Sequence, residues 1–274
     1  SILRTLVSSL REHIPDCSLT VLSHNPASTR EKYGVEAVDR MSPMAILRAV
    51  KKCDMLISGG GSLLQDVTSS KSLHYYLSII RCAEFFHKKV FIYSQGIGPI
   101  DRPGNRRAAA AALKRADGIV VRDERSAALL EEIGIARDKV VITADPVIRM
   151  KKPDGDVGAE ILRKAGVSLD GRLTVGWAIR ERDTDSRFVK ELLRSIQMMK
   201  DKYNAQSVLI PFHYEEDGEV CRHIAAQLPD DTAVCLNEKY LSEDMLSIIG
   251  NMDLLVGVRL HSLISVSYTH LTLP

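Results

Sequence analysis

Three stretches of this chain follow one plan: Val50-Lys51-Lys52-Cys53-Asp54-Met55-Leu56-Ile57, Leu113-Lys114-Arg115-Ala116-Asp117-Gly118-Ile119-Val120 and Ile249-Gly250-Asn251-Met252-Asp253-Leu254-Leu255-Val256. In each, a helical pattern ends, an Asp turns the chain, and an apolar run enters the core. Short apolar runs alternating with longer amphipathic stretches are the pattern of repeated βα units on a parallel sheet. The plan recurs in both halves, which points to an α/β protein of two similar Rossmann-like lobes more than to one continuous sheet.

Strands are expected in the first half at Leu19 to Ser23, Met55 to Ser58, Val90 to Ser94, Gly118 to Val121 and Val140 to Ala144. Helices lie between them at Met44 to Lys52, Leu73 to Phe86, Arg106 to Arg115 and Ser126 to Ile133. The second half offers strands at Leu173 to Ile179, Ser207 to Pro211, Ala233 to Leu236 and Leu254 to Val258. Polar, Pro- and Gly-containing residues from Arg149 to Asp156 read as a linker, so the lobes are expected at residues 1–148 and 149–265. Helical periodicity is already under way from Ile2 through Leu10, and a strand and turn are expected to precede it in the natural protein. Residues 266–274 break the pattern and read as the translation of a sequencing-library adaptor, so they are set aside.

Composition narrows the function classes. The net charge is only +2 and no basic block with interleaved aromatics occurs, which disfavours nucleic acid as a partner. The five cysteines are scattered without metal-type spacing, and they read as reduced thiols of a cytoplasmic protein. No apolar stretch reaches the ~20 residues needed to span a bilayer, and no signal peptide is evident. Peripheral contact with the inner face of the membrane, to reach a lipid-linked substrate, stays open.

The polar residues gather where strands stop, which is where open α/β sheets bind ligands. After Leu254 to Val258 comes Arg259-Leu260-His261-Ser262; on an extended chain Arg259 and His261 project to one side. A phosphate or carboxylate is the natural guest of such an arginine. Arg180, directly after the strand ending at Ile179, is its preferred partner; Arg182 reads as a solvated side chain, and His213 is a secondary candidate. In the first lobe, Gly59-Gly60-Gly61-Ser62-Leu63-Leu64-Gln65-Asp66 forms a turn without side chains to block a ligand, or alternatively a turn made for packing. It matches neither the dinucleotide fingerprint nor the Walker loop. A second glycine turn, Gln95-Gly96-Ile97-Gly98-Pro99, is expected to aim Gln95 at the same crevice. Asp123 and Glu124 read as helix-start charges, and Asp145 as either a hydroxyl binder or a turn residue.

With these three motifs in this order, the chain resembles the polysaccharide pyruvyltransferase family, most closely the CsaB type, which modifies a secondary cell-wall polysaccharide so that S-layer proteins can dock on it. The similarity runs from the first helix to Ile264. The family's opening strand is absent, as is everything after the Arg-Leu-His segment. The resemblance implies a two-lobed fold like that of GT-B glycosyltransferases, with the donor held by the second lobe and the acceptor by the first. It implies phosphoenolpyruvate as co-substrate, a pyruvate ketal on a sugar as product, a lipid-linked saccharide acceptor, and no further cofactor or metal. It places Arg259, Leu260, His261 and Arg180 on the donor. The residues left for the acceptor or its loops are Gly59, Gly60, Gly61, Ser62, Gln65, Asp66, Gln95, Gly96 and Gly98.

The chemistry suits those roles. Two arginines can neutralise the phosphate and carboxylate of phosphoenolpyruvate, and His261 can move protons near neutral pH. Two rival readings are a nucleotide-sugar glycosyltransferase of the same architecture, for which Glu243 and Asp244 would serve the ribose, and a non-catalytic glycan-binding protein.

Overall fold

The computed structural model describes residues 2–150, 155–181, 184 and 186–258. The chain forms two compact units, residues 1–146 and 147–274. The first runs α1 (Ile2–His13), β1 (Thr20–Ser23), α2 (Pro26–Tyr33), β2 (Glu36–Asp39), α3 (Pro43–Lys52), β3 (Met55–Ser58), α4 (Ser70–Phe85), β4 (Lys89–Gln95), α5 (Pro103–Leu113), β5 (Gly118–Val121), α6 (Glu124–Glu132) and β6 (Val140–Ile142). The second runs α7 (Val157–Lys164), β7 (Thr174–Ala178), α8 (Arg187–Tyr203), β8 (Gln206–Leu209), α9 (Tyr214–Ala226), β9 (Ala233–Cys235), α10 (Ser242–Ile249) and β10 (Leu254–Gly257).

Among the described residues, all strand pairs are parallel. The first unit holds a sheet of order β3-β4-β5-β6 and a separate pair β1-β2; the second holds a sheet of order β10-β7-β8-β9. Parallel strands covered by helices on both faces must be apolar on both, and β7 and β8 are buried along their whole length. In the first unit Val90, Ile92, Ile119 and Val121 form the centre of the core with Leu73, Ile80, Leu113 and Leu130 from the flanking helices.

The recurrent Asp has a physical reason. Asp117 accepts the backbone N–H of Val90 at 2.9 Å, and Asp253 accepts that of Thr174 at 2.7 Å. In both places a carboxylate just ahead of one strand satisfies an N–H at the start of its neighbour, a donor that would otherwise lack a partner at the sheet's lower edge. Asp117 also binds the Lys89 ammonium at 2.7 Å. Asp54 does less: its backbone carbonyl accepts the Lys89 N–H at 3.3 Å.

In the first unit, the apolar pattern does not announce the α2-β2 segment. Helix α2 buries no residue; it is defined by its ends, with the Asn25 side chain accepting the Ser28 N–H, Pro26 in the first turn, and Gly34 closing it at φ 60°. β2 is only four residues long and buries just Ala37.

Candidate functional site

At the carboxyl ends of β3 to β6, one arginine ties the loops together. Arg122, the residue after β5, donates from Nη1 to Asp145 at 2.7 Å and from Nη2 to the Ser62 hydroxyl at 2.8 Å. Its guanidinium lies so close over Gly96 that a Cβ there would stand 2.6 Å from Nη2, so only glycine fits beneath it. The ion pair is nearly dry, with side chains 12% and 5% exposed for Arg122 and Asp145. The sequence pattern around it points only to helix capping by Asp123 and Glu124. The capping part is right, since Asp123 accepts the Ser126 N–H at 2.8 Å. The overlooked signal was placement: Arg122 follows Val120-Val121 as Arg180 follows Ile179 and Arg259 follows Val258.

The first glycine turn is backed by protein. Ile2 and Leu6 of α1 lie against it, and a Cβ at Gly60 would stand 2.7 Å from the Ile2 side chain, with one at Gly59 3.4 Å from Leu6. Gly61 takes φ +89° and its carbonyl accepts the Gly96 N–H at 2.8 Å, joining the two glycine turns. Packing therefore accounts for Gly60, whereas a Cβ at Gly59 would make only ordinary contact with Leu6, and Ser62 remains exposed beside Arg122.

Gln95 departs from the sequence expectation that it faces a crevice. Its side chain is fully buried, and its amide N–H groups donate to the Ser58 carbonyl and hydroxyl, both at 2.8 Å. The cause is a register shift in β4 between Ile92 and Gln95, with Ser94 at φ 43°, which breaks the two-residue alternation. Gly98 is likewise structural: it adopts φ +95°, and a Cβ would meet Leu129 at 2.3 Å. Gln65 folds back on Thr68, accepting its N–H at 3.1 Å.

Asp66 is buried and receives the N–H groups of Asp101 at 3.0 Å and Arg102 at 3.1 Å and the Asn105 amide at 2.8 Å. It thus anchors the entry to α5. Burial alone would raise its pKa, but the donors from Asp101, Asn105 and Arg102 outweigh it and hold the carboxyl below the usual carboxylate range. A depressed folded-state pKa gives stability that is present above the unfolded-state pKa and lost as the pH falls through the folded-state one. Asp66→Asn should accordingly cost about 1–3 kcal/mol at neutral pH, with the difference shrinking in acid below pH about 4. Urea unfolding at both pH values checks this; an equal difference at both would contradict the charged anchor.

In the second unit, Arg180 is exposed two residues beyond β7. β10 pairs with β7 so that Gly257 stands opposite Ala178, and the Val258 N–H donates to the Ala178 carbonyl at 3.1 Å. Arg259, Leu260 and His261 lie outside the described residues, as does Arg182. His213 precedes α9, its backbone N–H held by Asp217 at 3.0 Å, beside a cavity of about 130 Å³ lined by Phe212, Tyr214, Lys239 and Tyr240. Asp244 accepts the Leu241 N–H at 3.2 Å, ahead of α10. Among the described residues, no helix is long and apolar enough to cross a membrane.

The family model for polysaccharide pyruvyl transferase matches residues 1–265. No curated protein matches the sequence. Among solved structures, the chain is similar to the UDP-GlcNAc 2-epimerase from Methanocaldococcus jannaschii, with TM-score 0.66, 11% identity, and coverage of 96% of this chain and 78% of that one. A glycosyltransferase from Rickettsia africae gives TM-score 0.57 at 11% identity over 93% of this chain and 68% of that one. Anabaena HepE, in complex with UDP and glucose, gives TM-score 0.57 at 10% identity over 92% and 68%. At these identities the likeness concerns the fold, which is that of GT-B-type glycosyltransferases and epimerases.

Proposed function

Because the chain belongs to the polysaccharide pyruvyl transferase family, we propose that it transfers pyruvate from phosphoenolpyruvate to two hydroxyls of one sugar in a cell-wall or exopolysaccharide precursor, forming a ketal and releasing phosphate. The observation that carries this reading is the family match over residues 1–265, nearly the whole chain. The acceptor is a saccharide, and we take it to be lipid-linked and met at the inner face of the membrane. No cofactor beyond the co-substrate enters the scheme.

The donor belongs on the second unit, at the carboxyl ends of β7 and β10. Arg180 stands two residues beyond Ala178, and Arg259 stands two residues beyond Gly257, the partner of Ala178 across the sheet. Two guanidinium groups suit a donor with a phosphate and a carboxylate. A proton delivered to the methylene carbon creates an oxocarbenium-like centre at C2, which a sugar hydroxyl attacks as that hydroxyl loses its proton. The C2–O bond to phosphate then breaks, and a second hydroxyl closes the ketal. Of the two hydroxyl protons, one is balanced by the new methyl group and the other leaves with phosphate. His261 is assigned to proton transfer, Arg259 and Arg180 to binding the donor and steadying the departing phosphate. The acceptor belongs on the first unit, near Ser62 and the turn that Arg122 holds.

Calorimetric titration separates this reading from the nucleotide-sugar one. Phosphoenolpyruvate should bind, and Arg180→Ala or Arg259→Ala should each weaken it about 10- to 100-fold, as loss of a charged hydrogen bond does. Binding of UDP-glucose with none of phosphoenolpyruvate would overturn the donor assignment.

A further inference from the structure

Helix α3 and the turn before it expose a cluster of large apolar side chains. Met41, Met44 and Leu47 are 67%, 58% and 38% exposed, three large apolar side chains within seven residues. Helical spacing puts 44, 47, 48 and 51 along one stripe, while Ile46 and Val50 on the opposite side pack into the core. The stripe is not a loose end. The Asp39 carboxylate accepts the Met41 N–H at 2.8 Å, the Tyr75 hydroxyl donates to the Arg40 carbonyl at 2.7 Å, and Ser42 caps the helix by accepting the Ala45 N–H at 3.4 Å. Met41 and Met44 are therefore held outward by an ordered turn.

Charge identifies what covers them. Arg40, Arg48, Lys51 and Lys52 surround the apolar residues and are all exposed, and α3 itself carries no acidic residue. The nearest acids along the chain are Asp39, which is bound to the Met41 N–H, and Asp54 beyond the far end of the helix. Apolar side chains rimmed by cations on one helix face form the amphipathic surface that lies in the headgroup region of an anionic bilayer. A second copy joined through this same face about a two-fold axis would have to bring four like charges against four.

We propose that the β2-α3 corner docks the protein on an anionic membrane surface, with Met41, Met44 and Leu47 entering the interface and Arg40, Arg48, Lys51 and Lys52 meeting lipid phosphates. This rests on the membrane encounter taken above for the acceptor and gives it a named surface, but it does not need the transfer chemistry itself. The patch also lies on the side of β2 at which the chain leaves the strand, so Met41 follows the same strand end that ligands favour in such sheets.

Sedimentation with vesicles tests it. The protein should partition onto vesicles of phosphatidylglycerol in phosphatidylcholine and be released by salt, with little binding to phosphatidylcholine alone. Arg48→Gln with Lys51→Gln should weaken partition roughly thirtyfold, since each basic residue near such a surface contributes about fivefold. Met41→Ser with Met44→Ser should weaken it on the same vesicles while leaving thermal unfolding unchanged. The proposal is overturned by absence of binding, by equal binding to neutral vesicles, or by variants that bind like the parent. It is equally overturned if analytical ultracentrifugation shows self-association that the methionine variant abolishes, which would assign the face to a second copy.

Discussion

His261→Ala should lower acceptor-dependent turnover by about 10²- to 10⁴-fold, the contribution a positioned general acid or base commonly makes. The proposed reaction moves a proton to a carbon that is not basic and takes protons from two hydroxyls that are not acidic. Imidazole alone among the side chains changes charge near neutral pH without being perturbed, so one residue can serve in either direction. The loss should fall on turnover with donor binding little changed, in contrast to Arg259→Ala, which should chiefly raise the donor concentration required. Steady-state phosphate release measured across donor concentrations separates the two. A His261 variant that turns over at the parental rate would remove histidine from the chemistry.

Arg122→Ala should destabilise the first unit by about 3–5 kcal/mol, the usual result of taking one member from a buried ion pair. Asp145 is 5% exposed, so losing the guanidinium leaves its carboxylate with little access to solvent. The same change frees the Ser62 hydroxyl and opens space over Gly96, where the guanidinium now lies. Arg122→Lys should recover part of the charge interaction but not the fork that reaches Asp145 and Ser62 together. Denaturant unfolding of the single variants, with Asp145→Asn and the double variant completing a cycle, measures the coupling. A loss below about 1 kcal/mol would place Arg122 among ordinary surface charges.

His261 follows from a polar motif after an apolar run, whereas Arg122, placed the same way after Val121, shows its role only through its contacts. The apolar runs at Met55–Ser58, Gly118–Val121 and Leu254–Gly257 were legible as strands because each is a short apolar run directly after a turning Asp, although Met55, Leu254 and Val256 stay exposed on edge strands. Asp117 and Asp253 were legible as turning points, although their bonds to Val90 and Thr174 needed coordinates. Helix α2 was not legible, because its signal lies in caps and not in an apolar face. Gln95 was misread because strand alternation assumes an unbroken ladder, and the shift after Ile92 turns that side chain into the protein. Gly60 was ambiguous for a related reason: absence of a side chain is equally suited to a ligand and to Ile2 of α1. At the second unit, Arg180 is exposed, whereas Arg259 and His261 lie outside the described residues and rest on their position in the sequence.

The most direct measurement is phosphate release from phosphoenolpyruvate with and without a saccharide acceptor, with the product followed by nuclear magnetic resonance. Pyruvyl transfer predicts one phosphate for each pyruvate ketal formed and no release when the acceptor is left out. Release at an equal rate without acceptor, or consumption of a nucleotide sugar while phosphoenolpyruvate stays intact, would contradict it.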